Sequence, residues 1–300
     1  MNAGVVMAED GFRLPAEARI GLARLKVSTL HRAAPFYMDV LGLQTVGEAA
    51  HQLQLGVAPG APLIVLDETP GAVRKPARTT GLYHFAILVP SRVDLARIVM
   101  RFIETQYPLQ GASDHGVSEA LYLADPDGNG IEIYADRPAA VWPRANGAPD
   151  GALAMVTEPL DMQGLLNLLG ERKESAGLPP GAQIGHIHLH VSRLAEAEAF
   201  YRDRLGLEVT QHYGGSAAFL SAGGYHHHIG INTWAGVGAP PPPTNAVGLS
   251  YFTLQLPDQP ALQRLIGRLS DSGVVLTPAE NGFMLADPSG NQILLTTARG

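Results

Sequence analysis

Across residues 185–191 (GHIHLHV) polar and apolar side chains alternate strictly. A period of two predicts a strand with His186, His188 and His190 on one face and Ile187, Leu189 and Val191 on the face that a helix should cover. Residues 114–134 (DHGVSEALYLADPDGNGIEIY) read as two strand-like runs joined by a Pro/Gly/Asn turn. That hairpin sets one tyrosine, Tyr122, and one carboxylate, Glu132, on paired strands. In the second run Ile131 and Ile133 face one way and Glu132 the other. A carboxylate between two isoleucines is costly to bury unless it is paired or holds a cation; the plainer reading is a rim strand with Glu132 in solvent.

The same pattern recurs. Residues 22–43 (LARLKVSTLHRAAPFYMDVLGL) lie on residues 186–207 (HIHLHVSRLAEAEAFYRDRLGL) without a gap. Each reads as a strand ending Val-Ser, a helix carrying Phe-Tyr, and a Leu-Gly-Leu exit with Gly42 or Gly206 as the helix cap. A second pair also matches: GLYHFAILVP from residue 81 lies on GLSYFTLQLP from residue 248, and DPDGNGIE from residue 125 lies on DPSGNQIL from residue 287. Each of this second pair holds a helix, expected near residues 94–105 and 261–272. The chain therefore runs A, B, A, B, each module a strand, a helix and several short strands. This predicts an α+β protein of a loose arm over residues 1–18, one two-module domain over 19–137, a linker over 138–182 and another two-module domain over 183–300. The linker is rich in Pro, Gly and Ala, with a short apolar helix expected over residues 161–173, and Pro240 to Pro243 reads as a stiff spacer between the last two modules.

Composition narrows the function. The chain has 300 residues, no cysteine and a net charge of −7, which leaves no thiolate chemistry and argues against a nucleic-acid partner. No apolar run approaches the length of a membrane span and no secretion signal is recognisable, so a cytoplasmic setting is expected. The informative excess is eleven histidines.

Aligning the modules selects among them. The position of His186 is Leu22 in the other A module; those of His84 and Glu132 are Tyr251 and Leu294 in the other B module. Only the first B module joined to the second A module assembles His84, Glu132 and His186. Two imidazoles and one carboxylate form the facial triad of non-heme Fe(II) oxygenases, with three positions left open. With Fe(II) the set carries a net charge of plus one, which suits an anionic chelating substrate, and Mn(II) fits the same ligands. His188 and His190 read instead as hydrogen-bonded imidazoles on a polar inner face. Asp125 to Gly130, with Asp136 at the twelfth place, nearly matches a calcium loop, but it lies between strand-like runs and reads better as a hairpin turn.

With these residues in place, the chain resembles the vicinal oxygen chelate superfamily and, within it, bacterial extradiol dioxygenases of the catechol 2,3-dioxygenase type. GLYHFAI, DHGVSEALYLADPDGNGIEIYADRP, IGHIHLHVS and AGGYHHHIG carry the resemblance. It implies four βαβββ modules in two domains, with cupped mixed or antiparallel sheets and helices outside. It places the iron ligands at His84, His186 and Glu132 and a substrate-binding tyrosine at Tyr122. The acid/base histidine falls at His227, with His226 or His228 in its place if the register slips by one. His115 lies near a second active-site histidine of the family without being in register with it. Many extradiol enzymes keep all three ligands in the two C-terminal modules, which Tyr251 and Leu294 rule out here. The site must bridge the halves, within one chain or between two in a homo-oligomer.

The implied function is Fe(II)-dependent ring opening of a catechol with O2 to a muconic semialdehyde. A non-catalytic antibiotic-binding protein, a glyoxalase-like metal isomerase and a hydroquinone dioxygenase are the competing readings.

Overall fold

The structure, a computed structural model, describes residues 11–57, 60–147, 151–171 and 174–297. Four modules follow one another. The first comprises β1 (Arg19–Val27), α1 (Leu30–Pro35), β2 (Gln44–Ala49), β3 (Gln52–Gly56) and β4 (Ile64–Glu68). The second comprises β5 (Gly81–Leu88), α2 (Arg92–Thr105), β6 (Gly111–Asp114), β7 (Ser118–Ala124) and β8 (Gly130–Asp136). The linker carries β9 (Glu158–Pro159) and α3 (Met162–Asn167). The third module comprises β10 (Gln183–His190), α4 (Leu194–Ala199), β11 (Glu208–Tyr213), β12 (Ala217–Ser221) and β13 (Ile229–Asn232). The fourth comprises β14 (Gly248–Leu256), α5 (Gln259–Asp271), β15 (Thr277–Ala279), β16 (Gly282–Ala286) and β17 (Gln292–Thr297).

The sheets do not follow the sequence halves. One eight-stranded sheet has the order β15-β16-β17-β14-β1-β4-β3-β2, and one nine-stranded sheet has the order β11-β12-β13-β10-β5-β8-β7-β6-β9. Each joins one module of each half: β1 pairs antiparallel with β14, and β5 antiparallel with β10. Within every module the first and last strands pair parallel, so both sheets are mixed. The halves are the repeats of the sequence, and each sheet draws one module from each of them. The helices cover the outer faces, burying Leu95, Val99 and Phe102 of α2 and Leu262, Leu265 and Leu269 of α5.

The Phe-Tyr helices end in the way their sequence implies. In both A modules the last turn loosens to a π-turn (Phe36–Val40 and Phe200–Arg204), and Gly42 and Gly206 take φ of 78° and 83°. An L residue with a Cβ rarely adopts that conformation. The π-turns aim Tyr37 and Tyr201 at the buried carboxylates of Asp125 and Asp287, at 2.9 and 3.1 Å. Asp125 Oδ1 also accepts the N–H groups of Asp127 and Asn129. Its oxygens are consumed in closing the β7–β8 hairpin, which supports a turn rather than a calcium loop.

Three details differ from expectation. Residues 11–18 of the arm are not loose: Leu14 is buried, its N–H donates to the Gly206 carbonyl, and Phe12 meets Arg268; residues 1–10 lie outside the described residues. The linker helix closes at Asn167, short of the expected span to residue 173, because Gly170 turns at positive φ; residues 172 and 173 also lie outside the described residues. The proline run forms no regular strand or helix, and the Pro240 carbonyl accepts from Thr80 N–H across the module boundary.

Candidate metal centre

The centre of the nine-stranded sheet is the consecutive set β13-β10-β5-β8-β7. Alternation gives every one of these strands a core face and an inner face. Ile187, Leu189, Phe85, Ile87, Ile131, Ile133, Leu121 and Leu123 join the main core. That leaves His84, His186, His188, Glu132 and Tyr122 on the opposite, concave face. The three triad residues sit on adjacent strands: His186 on β10, His84 on β5 and Glu132 on β8.

Register explains how they meet. His186 pairs with Ala86, and Ala86 with Glu132, so the longer side chains lie two strands apart with a methyl group between them. They meet above it, His186 Nε2 lying 3.1 Å from Glu132 Oε2. His84 pairs with Gly130, and its Nε2 lies 3.0 Å from the same Glu132 oxygen. All three residues offer ligand atoms within 4.8 Å of one another and all are buried. One chain suffices to build the group, and the halves are bridged without a second copy.

The donor set fits a divalent ion. His84 Nε2 is buried, and its close neighbour is Glu132 Oε2 at 3.0 Å; among the described residues neither it nor the buried His186 Nδ1 has a regular hydrogen-bond partner. Burial lowers the His186 pKa from 6.5 to about 4, with the Glu132 charge only partly opposing it. Burial alone would raise the Glu132 pKa, but His186 and His84 overcome it and hold the carboxyl well below the usual carboxylate range. The set thus offers an anionic carboxylate and imidazole lone pairs, one of them on an orphaned nitrogen. A cation satisfies that arrangement better than a proton does.

A cavity of about 380 Å³ opens over His84 and Glu132. Tyr122 and His115 form one wall, and His227, Phe219 and Trp234 the other. Tyr122 pairs directly with Glu132 across the hairpin, which accounts for their separation of ten residues. Burial foremost, and the Glu132 charge after it, raise the Tyr122 pKa well above 10. His115 Nδ1 lies 2.7 Å from the Val156 carbonyl, so that nitrogen carries the hydrogen. His115 Nε2 is then an acceptor, and Tyr122 donates to it at 2.6 Å.

The histidine run ahead of β13 splits three ways. His227 lines the cavity with its ring 4.0 Å from that of His186, and burial followed by its imidazole neighbours lowers its pKa well below 6.5. His226 lies beneath it against Asp136, and His228 points away and accepts from Ala222 N–H. His188 and His190 hydrogen-bond to Asn232 at 3.0 and 2.7 Å, as a polar inner face requires. Asn232, Trp234 and Ala86 carry no role that is legible in the sequence, and Asp136 reads there only as the twelfth place of a calcium-like loop. For Ala86 a signal nonetheless existed, since its counterpart in the other B module is the larger Thr253.

Comparison with known proteins adds sequence relatives. The model of the Glyoxalase/Bleomycin resistance protein/Dioxygenase superfamily matches residues 19–133 and 183–295. A catechol-2,3-dioxygenase of Bacillus subtilis (strain 168) is 47% identical over 274 residues, covering 91% of this chain and 94% of its own. A solved Bacillus subtilis protein superposes with a TM-score of 0.68 at 14% identity, covering 96% of this chain and 87% of its own. Glyoxalase I from Zea mays superposes with a TM-score of 0.56 at 15% identity, covering 94% and 92%.

Proposed function

The chain belongs to the Glyoxalase/Bleomycin resistance protein/Dioxygenase superfamily, and from that premise we propose that it is an extradiol ring-cleaving dioxygenase acting on a catechol with O2. The observation that carries the reading is the buried His84–Glu132–His186 group on three adjacent strands, opening into a cavity beside Tyr122 and His227. Fe(II) is the metal proposed for that group, with Mn(II) the alternative the same donors accept. Bound there, the metal would bring catechol and dioxygen together and carry electron density between them.

The chain's own residues supply the remainder. His227 presents an imidazole, neutral at pH 7, to the cavity and takes the proton of a catechol hydroxyl at Nε2. Tyr122, its own hydrogen engaged by His115, keeps its oxygen lone pairs for the substrate's hydroxyl and so fixes the ring's orientation. Among the described residues no lysine or arginine lines the cavity, whereas Phe219, Trp234, Tyr83 and Val117 do. Such walls suit the uncharged face of an aromatic ring and give a ring carboxylate nothing to pair with. A glyoxalase-like reaction would be expected to use a fourth protein ligand, and the group of close donors comprises three, His227 standing outside it.

The test is to load metal-free protein with Fe(II) under anaerobic conditions and then add catechol and air. Oxygen uptake with formation of a yellow ring-cleavage product is expected, and none with a His84→Ala variant. Binding of catechols without oxygen uptake across a panel of them would overturn the assignment in favour of a sequestering protein. A Mn(II)-loaded sample run in parallel decides the metal.

A further inference from the structure

Beneath the cavity lies a chain of hydrogen bonds that the ligand triad does not use. Asp136, the last residue of β8, lies 2.9 Å through Oδ1 from His226 Nε2. His226 Nδ1 in turn lies 2.9 Å from His227 Nδ1. Tyr225 anchors the far end, donating to Asp136 Oδ2 at 3.0 Å, and its hydroxyl lies 2.7 Å from that of Tyr134. The His226 ring is 1% exposed and clamped between aromatic neighbours, with Tyr225 at 4.0 Å and Trp142 at 5.4 Å between ring centroids. The ring so packed turns Nε2 to Asp136 and Nδ1 to His227.

The direction of each bond follows from what the groups can do. A carboxylate only accepts, so the hydrogen between Asp136 and His226 belongs to His226 Nε2. A neutral imidazole protonated there has a lone pair at Nδ1. Two Nδ1 atoms 2.9 Å apart need one hydrogen between them, which must then come from His227. His227 is left with its lone pair on Nε2, on a side chain that lines the cavity. The opposite tautomer would point an N–H at the substrate and could not take its proton.

We propose that Asp136 and His226 are positioning residues that hold His227 in the tautomer able to act as a base. The proposal rests on the reading of His227 as that base. The three groups lie on two distant stretches of chain: Asp136 closes the strand that carries Glu132, and His226 and His227 belong to the segment that enters β13. The relay therefore ties the orientation of the base to the strand that presents the carboxylate ligand.

The tautomer can be read without any turnover. In metal-free protein labelled with 15N-histidine, two-bond proton–nitrogen spectra near neutral pH, assigned by the signals lost in His227→Gln, should show His227 protonated at Nδ1 and bare at Nε2. Protonation of His227 at Nε2, or of His226 at both nitrogens, would overturn the proposal. In the Fe(II)-loaded enzyme, Asp136→Ala and His226→Phe should each lower kcat about ten- to a hundredfold while KM moves less than about threefold and bound iron stays unchanged. His226→Asn, which keeps an oxygen near the position of Nδ1 to accept from His227, should recover most of that loss. Unchanged kcat in both disruptive variants, a parallel loss of bound iron, or an Asn variant no better than Phe would each count against the relay. If the wild-type enzyme cleaves no catechol, the spectra alone decide the tautomer, so failure of the proposed function and failure of the relay are told apart.

Discussion

Gly130→Ala is the perturbation that tests most directly how the sheet builds the centre. Gly130 opens β8 opposite His84, and a Cβ at that position would lie 2.1 Å from the Tyr83 carbonyl oxygen and 3.2 Å from His84 Cβ. Side-chain carbons essentially never approach other atoms closer than 3.0 Å, and the obstacle is backbone rather than a movable side chain. The strand must therefore withdraw by about 1 Å at this point, a strain of the kind that costs roughly 1–3 kcal/mol in a packed interior. Glu132 is two residues further along the same strand, and its carboxylate stands only 3.0 and 3.1 Å from the two imidazoles. Metal–ligand distances tolerate about 0.2 Å, so a displacement near 1 Å disables the group while leaving the fold standing. A loss of about a hundredfold in kcat/KM is expected, with bound iron falling in parallel. The assay pairs iron content and oxygen uptake with thermal unfolding of the metal-free protein. Gly267→Ala in α5, where an added Cβ meets nothing within 4 Å, serves as the control and should be neutral or slightly stabilising. A folded Gly130→Ala variant that holds a full complement of iron and cleaves catechol at the wild-type rate would refute the reasoning.

Three further outcomes are expected. Tyr122→Phe removes the hydroxyl that donates to His115, and should lower kcat/KM roughly ten- to a hundredfold, the worth of one hydrogen bond in a water-poor site, with iron content unchanged; a loss of iron as well would show that Tyr122 supports the metal rather than the substrate. His228 is buried and burial lowers its pKa from 6.5 to about 4, so the unfolded chain takes up this proton first as the pH falls. Its contribution to stability is whole above about pH 6.5 and declines by up to about 3 kcal/mol toward pH 4. Thermal unfolding of metal-free His228→Asn should lose less across that window than wild type, and equal losses would contradict the assignment. Leu14→Ala should destabilise the protein by about 2–3 kcal/mol, measured by denaturant unfolding, because Leu14 is buried against the second half; a change under about 0.5 kcal/mol would mean that the segment is not docked in solution.

The sequence went furthest where the information is local. A period of two in residues 130–134 and 185–191 set the inner faces of β8 and β10, because alternate side chains on a strand must point opposite ways. Internal duplication went further still: Leu22, Tyr251 and Leu294 at the counterpart positions left a single combination of modules able to gather His84, Glu132 and His186. The structure brings together that combination, through the antiparallel pairing of β5 with β10. Gly130 and its counterpart Gln292 carry the same kind of signal, since a side chain at Gly130 would meet the Tyr83 backbone, whereas the other B module accommodates a glutamine at that place.

What the sequence left open depends on contacts between distant segments. Residues 225–228 precede β13, where no strand period yet governs direction, so three adjacent histidines could be told apart only by their partners: Asp136 for His226, the cavity for His227 and Ala222 N–H for His228. His115 is out of register with the family's second active-site histidine, and its two nitrogens take their partners from Tyr122 and from the Val156 carbonyl, the latter 41 residues away. The docking of residues 11–18 turned on Gly206, some 190 positions along the chain, whose lack of a side chain admits Phe12. Periodicity and duplication determine which face a residue takes and which modules can share a site, because both are written in neighbouring side chains. Tautomer, partner and cavity belong to the tertiary structure, because a hydrogen bond is set by the atoms a side chain meets and not by those beside it in the chain.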